Sequence, residues 1–186
     1  TQKKIVKILS VLDKKIDFIN CENCIIENIL QNYFNNWIDN IKPIATVGLD
    51  EIAKYTNGLA MQKFRPVDND LGLPVVKIKE MNSGISKDTA RCTSELKEEY
   101  KVFPGDVLFA WSGTLCVKIW DGEVAGLNQH IFKVTSEEYP KWFYYFWTLH
   151  HLKKFIHIAQ DKAVTMGHIK RSELEKSRAI YKYSKG

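Results

Sequence analysis

The apolar positions of the first forty residues follow one rule. Ile5, Leu9, Leu12, Ile16, Ile19, Ile26, Leu30, Tyr33 and Trp37 are separated by alternating steps of four and three, with one step missing at Asn23. This is the 3.5-residue repeat of a coiled-coil seam. Residues 3–38 contain neither Gly nor Pro, so nothing interrupts a helix. Thr1 or Gln2 starts it and Pro43 ends it. At 1.5 Å per residue such a helix is a rod of about 55 Å, longer than a compact domain of this size needs. The narrow, regular stripe predicts a dimerisation or spacer rod. A polar Asn23 in the seam costs stability and fixes register.

After residue 44 the period changes. Residues 73–79 (Leu-Pro-Val-Val-Lys-Ile-Lys) end in strand-like alternation. Pro104-Gly105-Asp106 predicts a turn before a short buried strand at 107–111. Ser112-Gly113-Thr114 predicts a second turn, followed by alternation at 115–120 and a hairpin-type turn at Asp121-Gly122-Glu123. Residues 130–134 predict another strand. From about 136 to 160 the pattern is helical, with Phe143, Phe146, Trp147, Leu152, Phe155 and Ile156 on the apolar side. Ser172 and Glu175 have the Ser-x-x-Glu spacing that caps a short final helix. The expected fold class is α+β. A long N-terminal coiled-coil helix (1–40, spacer or dimerisation) precedes a globular, largely β domain with flanking helices (41–186).

Composition narrows the class. The 186 residues are 45% apolar, 12% aromatic and 26% charged, which excludes a disordered or low-complexity chain. A chain of this length buries roughly 70% of its unfolded surface and needs no disulfide or metal staple. Cys21 and Cys24 form a Cys-x-x-Cys inside the helix, but a structural zinc site takes four ligands, and Cys92 and Cys116 lie in a different type of segment. No metal or cofactor is expected. The longest aromatic-apolar block, 142–147, is six residues, against about 20 for a membrane span. The N-terminus lacks a signal peptide's apolar core, so the expectation is a soluble, cytoplasmic protein with no membrane partner.

The formal net charge is +5, unevenly spread. Residues 1–40 balance at five of each sign, 41–140 carry twelve basic against fourteen acidic, and 141–186 carry ten basic against three acidic. A basic final section suggests a polyanionic partner, although a solvated basic helix face gives the same pattern.

The common catalytic signatures are absent: no phosphate-binding Gly-x-x-x-x-Gly-Lys, no Gly-x-Gly-x-x-Gly, no His-Glu-x-x-His, and no Asn/Asp-Pro-Pro-Tyr/Phe of amino-methyltransferases. Asp88 with Glu99 and Lys101 is a loose match to a Mg²⁺-nuclease pattern. His150 and His151, adjacent on a helix, point about 100° apart and do not chelate as a pair. No catalytic residue is assigned. A small nuclease using Asp88, Glu99 and Lys101, and a coiled-coil assembly protein without DNA binding, stand as alternatives.

Several segments together resemble the specificity subunits of type I restriction-modification systems. Gln2-Lys3-Lys4-Ile5, Ile8-Leu9-Ser10 and Leu12-Asp13-Lys14-Lys15-Ile16 resemble the conserved helix. Gly72-Leu73-Pro74-Val75-Val76-Lys77-Ile78-Lys79 is similar to an early strand of the target recognition domain. The run from Tyr100-Lys101-Val102-Phe103-Pro104-Gly105-Asp106 through Ser112-Gly113-Thr114 resembles its central motif. Gly126-Leu127-Asn128-Gln129-His130-Ile131 resembles the next one, and Gly167-His168-Ile169 with Arg171 and Leu174 the last.

The resemblance implies sequence-specific duplex DNA binding without covalent chemistry. The implied partners are methyltransferase (modification) and restriction/translocase subunits. A complete member has two helices and two domains; this chain resembles one of each, which suggests a homodimer through residues 5–37. Phosphates are expected at Lys153, Lys154, Lys162, Lys170 and Arg171. Base edges are expected at Lys63, Arg65, Asn82, Ser83, Lys87 and Arg91, in residues 111–114 (Ser112 and Thr114 above all), and at Thr165 and His168. A motif shared by domains with different targets should not read bases, so the unmatched stretches 58–70 and 82–98 are the better base readers. Pro104-Gly105-Asp106 is expected to be a structural turn, and Trp111 and Trp120 core residues.

Overall fold

The computed structural model describes residues 2–41, 45–67, 69–161 and 169–181, the side chains of 161 and 181 excepted. The chain divides into two units, Thr1–Lys42 and Pro43–Gly186.

The first unit is one helix, α1 (Gln2–Asn40). Its polar side chains serve it locally: Ser10 Oγ donates to the Lys7 carbonyl at 2.9 Å, and Asn40 Nδ2 to that of Asn36 at 2.7 Å. The seam residues from Ile5 to Tyr33 are exposed. So are Ile8, Val11, Phe18, Ile25 and Ile29. At 3.6 residues per turn these five form a second stripe roughly 100° around from the first. The apolar arc of α1 is therefore broader than the narrow stripe expected from the seam.

The second unit holds two four-stranded sheets and one two-stranded sheet. In the first, β2 (Lys54–Asn57), β9 (Ile131–Thr135), β6 (Val107–Ala110) and β7 (Cys116–Ile119) lie side by side, all antiparallel. In the second the order is β4 (Arg91–Cys92), β3 (Leu73–Val76), β8 (Ala125–Leu127) and β5 (Lys101–Val102), with β3 and β8 parallel. The small sheet pairs β1 (Ala45–Gly48) with β10 (Arg178–Tyr181). Four helices flank the strands: α2 (Leu49–Ile52), α3 (Ile78–Ser83), α4 (Lys141–Asp161) and α5 (Arg171–Glu175).

All four residues of β6 are fully buried, which explains why its sequence does not alternate. Leu108 and Ala110 join Val76, Val102, Trp120, Leu127 and Ile131 in a core drawn from both large sheets. Phe109 points the other way and stacks on Phe155 of α4 at 5.5 Å. A strand covered on both faces reads as a continuous apolar run. On the α4 side, the Thr148 hydroxyl donates to the Tyr144 carbonyl at 2.7 Å and accepts from Tyr55 Oη at 2.6 Å. Burial raises the Tyr55 pKa and keeps that donor protonated. Burial also lowers the His151 pKa to about 4, so at neutral pH its neutral Nε2–H donates to the Arg178 carbonyl at 2.9 Å and fastens α4 to β10.

Four sequence expectations are corrected. Ile78 and Lys79 are helical, not strand: the Glu80 carboxylate accepts the Lys77 N–H at 3.2 Å and starts α3 as soon as β3 ends. Asp121-Gly122-Glu123 is not a hairpin, because β7 pairs only with β6 while β8 belongs to the other sheet. The bend carries the chain between sheets, held by Trp120 Nε1 donating to the Glu123 carbonyl at 2.8 Å. The helix expected from 136 begins at Lys141, after Pro140, and the Ser136 hydroxyl instead accepts the Tyr139 N–H. Ser172 lies inside α5, whose N-cap is Lys170.

Gly58, just past β2, bonds N–H to the Ile131 carbonyl at 3.1 Å, and Leu59 bonds N–H to that of Leu127 at 2.9 Å. A Cβ on Gly58 would overlap the carbonyl oxygens of Leu127 and Asn128, so this approach admits no side chain. Gly58→Ala should destabilise the protein by at least about 2 kcal/mol, seen as a lower urea midpoint at unchanged slope. A midpoint equal to wild type would show that the contact yields freely.

Candidate nucleic-acid interface

Two groups of loops leave opposite ends of β3, whose four residues span roughly 13 Å. At its start lie residues 64–72 and 91–94. The Asp70 carboxylate joins them: one oxygen accepts the Gly72 N–H at 2.7 Å, and the other accepts the Thr93 hydroxyl and the Ser94 N–H, each at 2.9 Å. Arg91 works in the opposite direction, Nε donating to the Leu71 carbonyl at 2.7 Å and Nη2 to that of Gly72 at 2.6 Å. The Thr93 N–H reaches the Phe64 carbonyl at 2.8 Å. Gly72 adopts φ +64°, a region natural to glycine. The N–H bonds from Ser94 and Gly72 hold the Asp70 pKa down to about 2.

At the far end of β3, α3 carries Asn82 and Ser83. Here Glu80, itself buried, accepts the Thr89 hydroxyl at 3.3 Å, and Thr89 Oγ1 accepts the Ser86 N–H at 2.9 Å. The stretch after α3 is thus folded back on that helix. The 111–114 turn lies alongside: the position of a Cβ on Gly113 is 3.5 Å from Ile78 Cδ1. The Ile169 N–H donates to the Trp111 carbonyl at 3.2 Å and brings Lys170 and Arg171 to the same end. Trp111 is half-buried, with Nε1 donating to Asn57 Oδ1 at 3.0 Å and its ring against His130.

The named candidates therefore separate. Lys63, Arg65, Asn82, Ser83, Lys87, Thr114, Lys153, Lys154, Lys170 and Arg171 are exposed. Asn82 Nδ2 is bonded to the Ile78 carbonyl at 3.0 Å, and Lys154 Nζ to Ser177 Oγ at 3.2 Å. Arg91 is exposed but its guanidinium is committed to the neighbouring loop. Ser112 is buried. Lys162, Thr165 and His168 lie outside the described residues. The structure brings together Asn82, Ser83, Thr114, Lys170 and Arg171. Lys153 and Lys154 lie on α4, and Lys154 reaches Ser177, which itself bonds the Glu173 carbonyl of α5.

Two of the resembling motifs have structural roles. Asp106 Oδ2 accepts the Phe103 N–H at 2.8 Å, and Gly105, at φ +90°, donates to the Trp120 carbonyl. Asn128 is buried; its N–H donates to the Val76 carbonyl at 3.3 Å and its Oδ1 accepts the His130 N–H at 3.3 Å. Trp120 is core, as expected.

Sequence reasoning missed Asp70 and Thr93 as organisers. The available signal was Asp70-Leu71-Gly72, an acid two residues before a glycine, the pattern of an Asx turn; its cross-loop partners are not visible in sequence. Among the described residues no three His, Cys, Asp or Glu side chains are grouped to hold a metal ion, and no helix is long and apolar enough to cross a membrane.

A depressed carboxylate contributes its bonds fully above the ordinary Asp pKa and loses them as pH falls through its own. The clamp should be intact above about pH 4 and released toward pH 2. In NMR titration the Gly72 and Ser94 amides should shift together with a midpoint near 2, and Asp70→Asn should speed hydrogen exchange at those amides at neutral pH. A midpoint near 4 would mean the clamp is not formed.

The model of the type I restriction modification DNA specificity domain matches residues 41–178. The type I restriction enzyme EcoBI specificity subunit of Escherichia coli is 27% identical over 133 residues, covering 69% of this chain and 27% of that protein. A chain from a structure concerned with complex assembly and conformational transition of the type I R-M system is 14% identical, with TM-score 0.47, covering 93% of this chain and 45% of the other. The HsdS subunit from Thermoanaerobacter tengcongensis is 16% identical, with TM-score 0.45, covering 70% and 31%. This chain spans about a quarter of the length of that curated relative. The family match takes in nearly all of the second unit and well over half of the chain, so the protein belongs to the type I restriction-modification DNA specificity domain family.

Proposed function

We propose that this chain is a sequence-reading subunit that binds one half of a bipartite duplex DNA target. In this reading it directs methyltransferase and endonuclease subunits there and makes or breaks no covalent bond itself. The observation that carries the proposal is the family match across residues 41–178. The loops at both ends of β3 support it: they are held by side-chain bonds, as a surface that matches base edges must be. Exposed Lys63, Arg65, Lys87, Lys153, Lys170 and Arg171 supply phosphate contacts, and the polar loops supply base contacts. The chain works in the cytoplasm, where its DNA is.

Duplex binding should weaken with salt along a slope of about −0.9 per phosphate neutralised. Lys153→Ala should reduce the slope by about one unit while leaving sequence preference unchanged. Absence of binding at low salt would favour a pure assembly protein. Mg²⁺-dependent cleavage that is lost in Glu99→Ala would favour the nuclease alternative.

Helix α1 serves assembly. Its seam, from Ile5 to Trp37 with Asn23 in register, joins a second copy about a twofold axis as a coiled coil. One partner helix covers one seam, so the second stripe (Ile8, Val11, Phe18, Ile25, Ile29) is left for helices of the methyltransferase subunits. Light scattering of the wild-type chain at micromolar concentration should give a dimer, and Leu12→Asp with Ile16→Asp a monomer. Phe18→Asp with Ile25→Asp should keep the dimer and lose the methyltransferase subunit in co-purification. A monomeric wild type overturns the homodimer.

A further inference from the structure

In the segment before β3, Gly72 lies against the Pro66 ring. Inside it the Asp70 N–H donates to the Val67 carbonyl at 3.0 Å. Outside, Asp70, Arg91 and Thr93 bind it to the neighbouring segment through the bonds described above. Yet two of its side chains are apolar and exposed: Leu71 is 87% exposed and Val67 is 67% exposed. Leu71 sits between the two residues whose backbone or side chain the clamp grips hardest, with its own carbonyl held by Arg91. The protein thus fixes the backbone of this residue and buries almost none of its side chain. That arrangement adds nothing to the core. It presents an isobutyl group in a set position.

Single exposed leucines are ordinary; one whose backbone is gripped on both sides, with exposed Lys63 and Arg65 in the preceding segment, is not explained by folding. An exposed apolar group on a segment that also carries exposed cations matches what duplex DNA offers in its major groove, phosphates along the edges and a pyrimidine C5-methyl on the floor. Resting on the reading under Proposed function, we propose that Leu71 is a base-reading residue that contacts the C5-methyl of a thymine in the major groove, and that Asp70 is the positioning residue that holds it there.

The test is selection from a random duplex library by the full chain, in wild-type, Leu71→Ala, Leu71→Met and Asp70→Asn forms. Wild type should select a motif containing a thymine whose preference flattens in Leu71→Ala, survives in Leu71→Met and is blurred in Asp70→Asn, with other positions unchanged in Leu71→Ala. Replacing that thymine by uracil, which removes only the methyl, should weaken wild-type binding roughly 3- to 10-fold. The same replacement should leave Leu71→Ala unaffected, the coupling that identifies a direct contact. Identical motifs for wild type and Leu71→Ala, or no effect of uracil on wild type, overturn the inference while base reading stands. Loss of a co-purifying subunit in Leu71→Ala with the motif intact overturns it also, and assigns this side chain to a protein contact. A wild type that selects no motif at all overturns base reading, and this inference falls with it.

Discussion

The globular unit depends on the place where its two large sheets exchange backbone. β8 ends in one sheet and β9 begins in the other, with only Asn128, Gln129 and His130 between them. In that short turn the main chain serves three other segments: the Leu127 carbonyl takes Leu59, Asn128 N–H gives to Val76, and the His130 carbonyl takes Trp111. Trp111 in turn accepts Ile169. Every connection that leads toward the candidate interface is therefore tied to one turn. The ties are backbone bonds in a buried place, where an unmade bond costs about 1–3 kcal/mol, so the turn tolerates little displacement. Gly58 and Gly126 mark how close the strands come, since a Cβ on the first meets backbone oxygens and on the second meets Cys92 Sγ.

Away from that junction the work passes to side chains. Glu80 and Asp70 each use a carboxylate to hold a loop that has no regular structure of its own. Lys133, in the middle of β9, sends its buried ammonium to the carbonyls of Glu98 and Lys101, at 3.1 and 2.7 Å, and so pins the start of β5. Charge-assisted bonds are roughly twice as strong as neutral ones, and those from Asp70 to Thr93 and Ser94 and from Lys133 to Glu98 and Lys101 join segments more than 20 residues apart. They set loop shape without adding apolar burial.

This division explains what the sequence made legible. α1 was readable end to end because its signal is local: a period, and no Gly or Pro. β6 and β9 were readable from short apolar runs between turns. The bend at 121–123 was misread because a turn residue pattern says that the chain bends, not which sheet it enters next. Ile78 and Lys79 were read as strand because alternation continues through them, and the reversal is dictated by Glu80, one residue further on, capping the helix. β1 and β10, whose paired residues are 130 or more positions apart, pair at long range, which no periodicity announces. At the interface, exposure of Lys63, Arg65 and Lys87 was a safe expectation for long cationic side chains. The engagement of Arg91 and the burial of Ser112 depend on partners that only the folded chain supplies.

The strands with their turns and the outer loops have different physical roles. The turn at 104–106 is bonded to Trp120, and the stretch at 126–131 forms the junction, where Asn128 is buried and its side chain accepts a backbone N–H. The described parts of 64–72, and residues 84–90, lie outside the sheets, held by carboxylates and a guanidinium. A bond from Asp70 to Thr93 can be lost or redrawn without moving β3 or β8, because neither strand's ladder passes through it. A fold arranged in this way keeps its framework while its outer loops change length and composition.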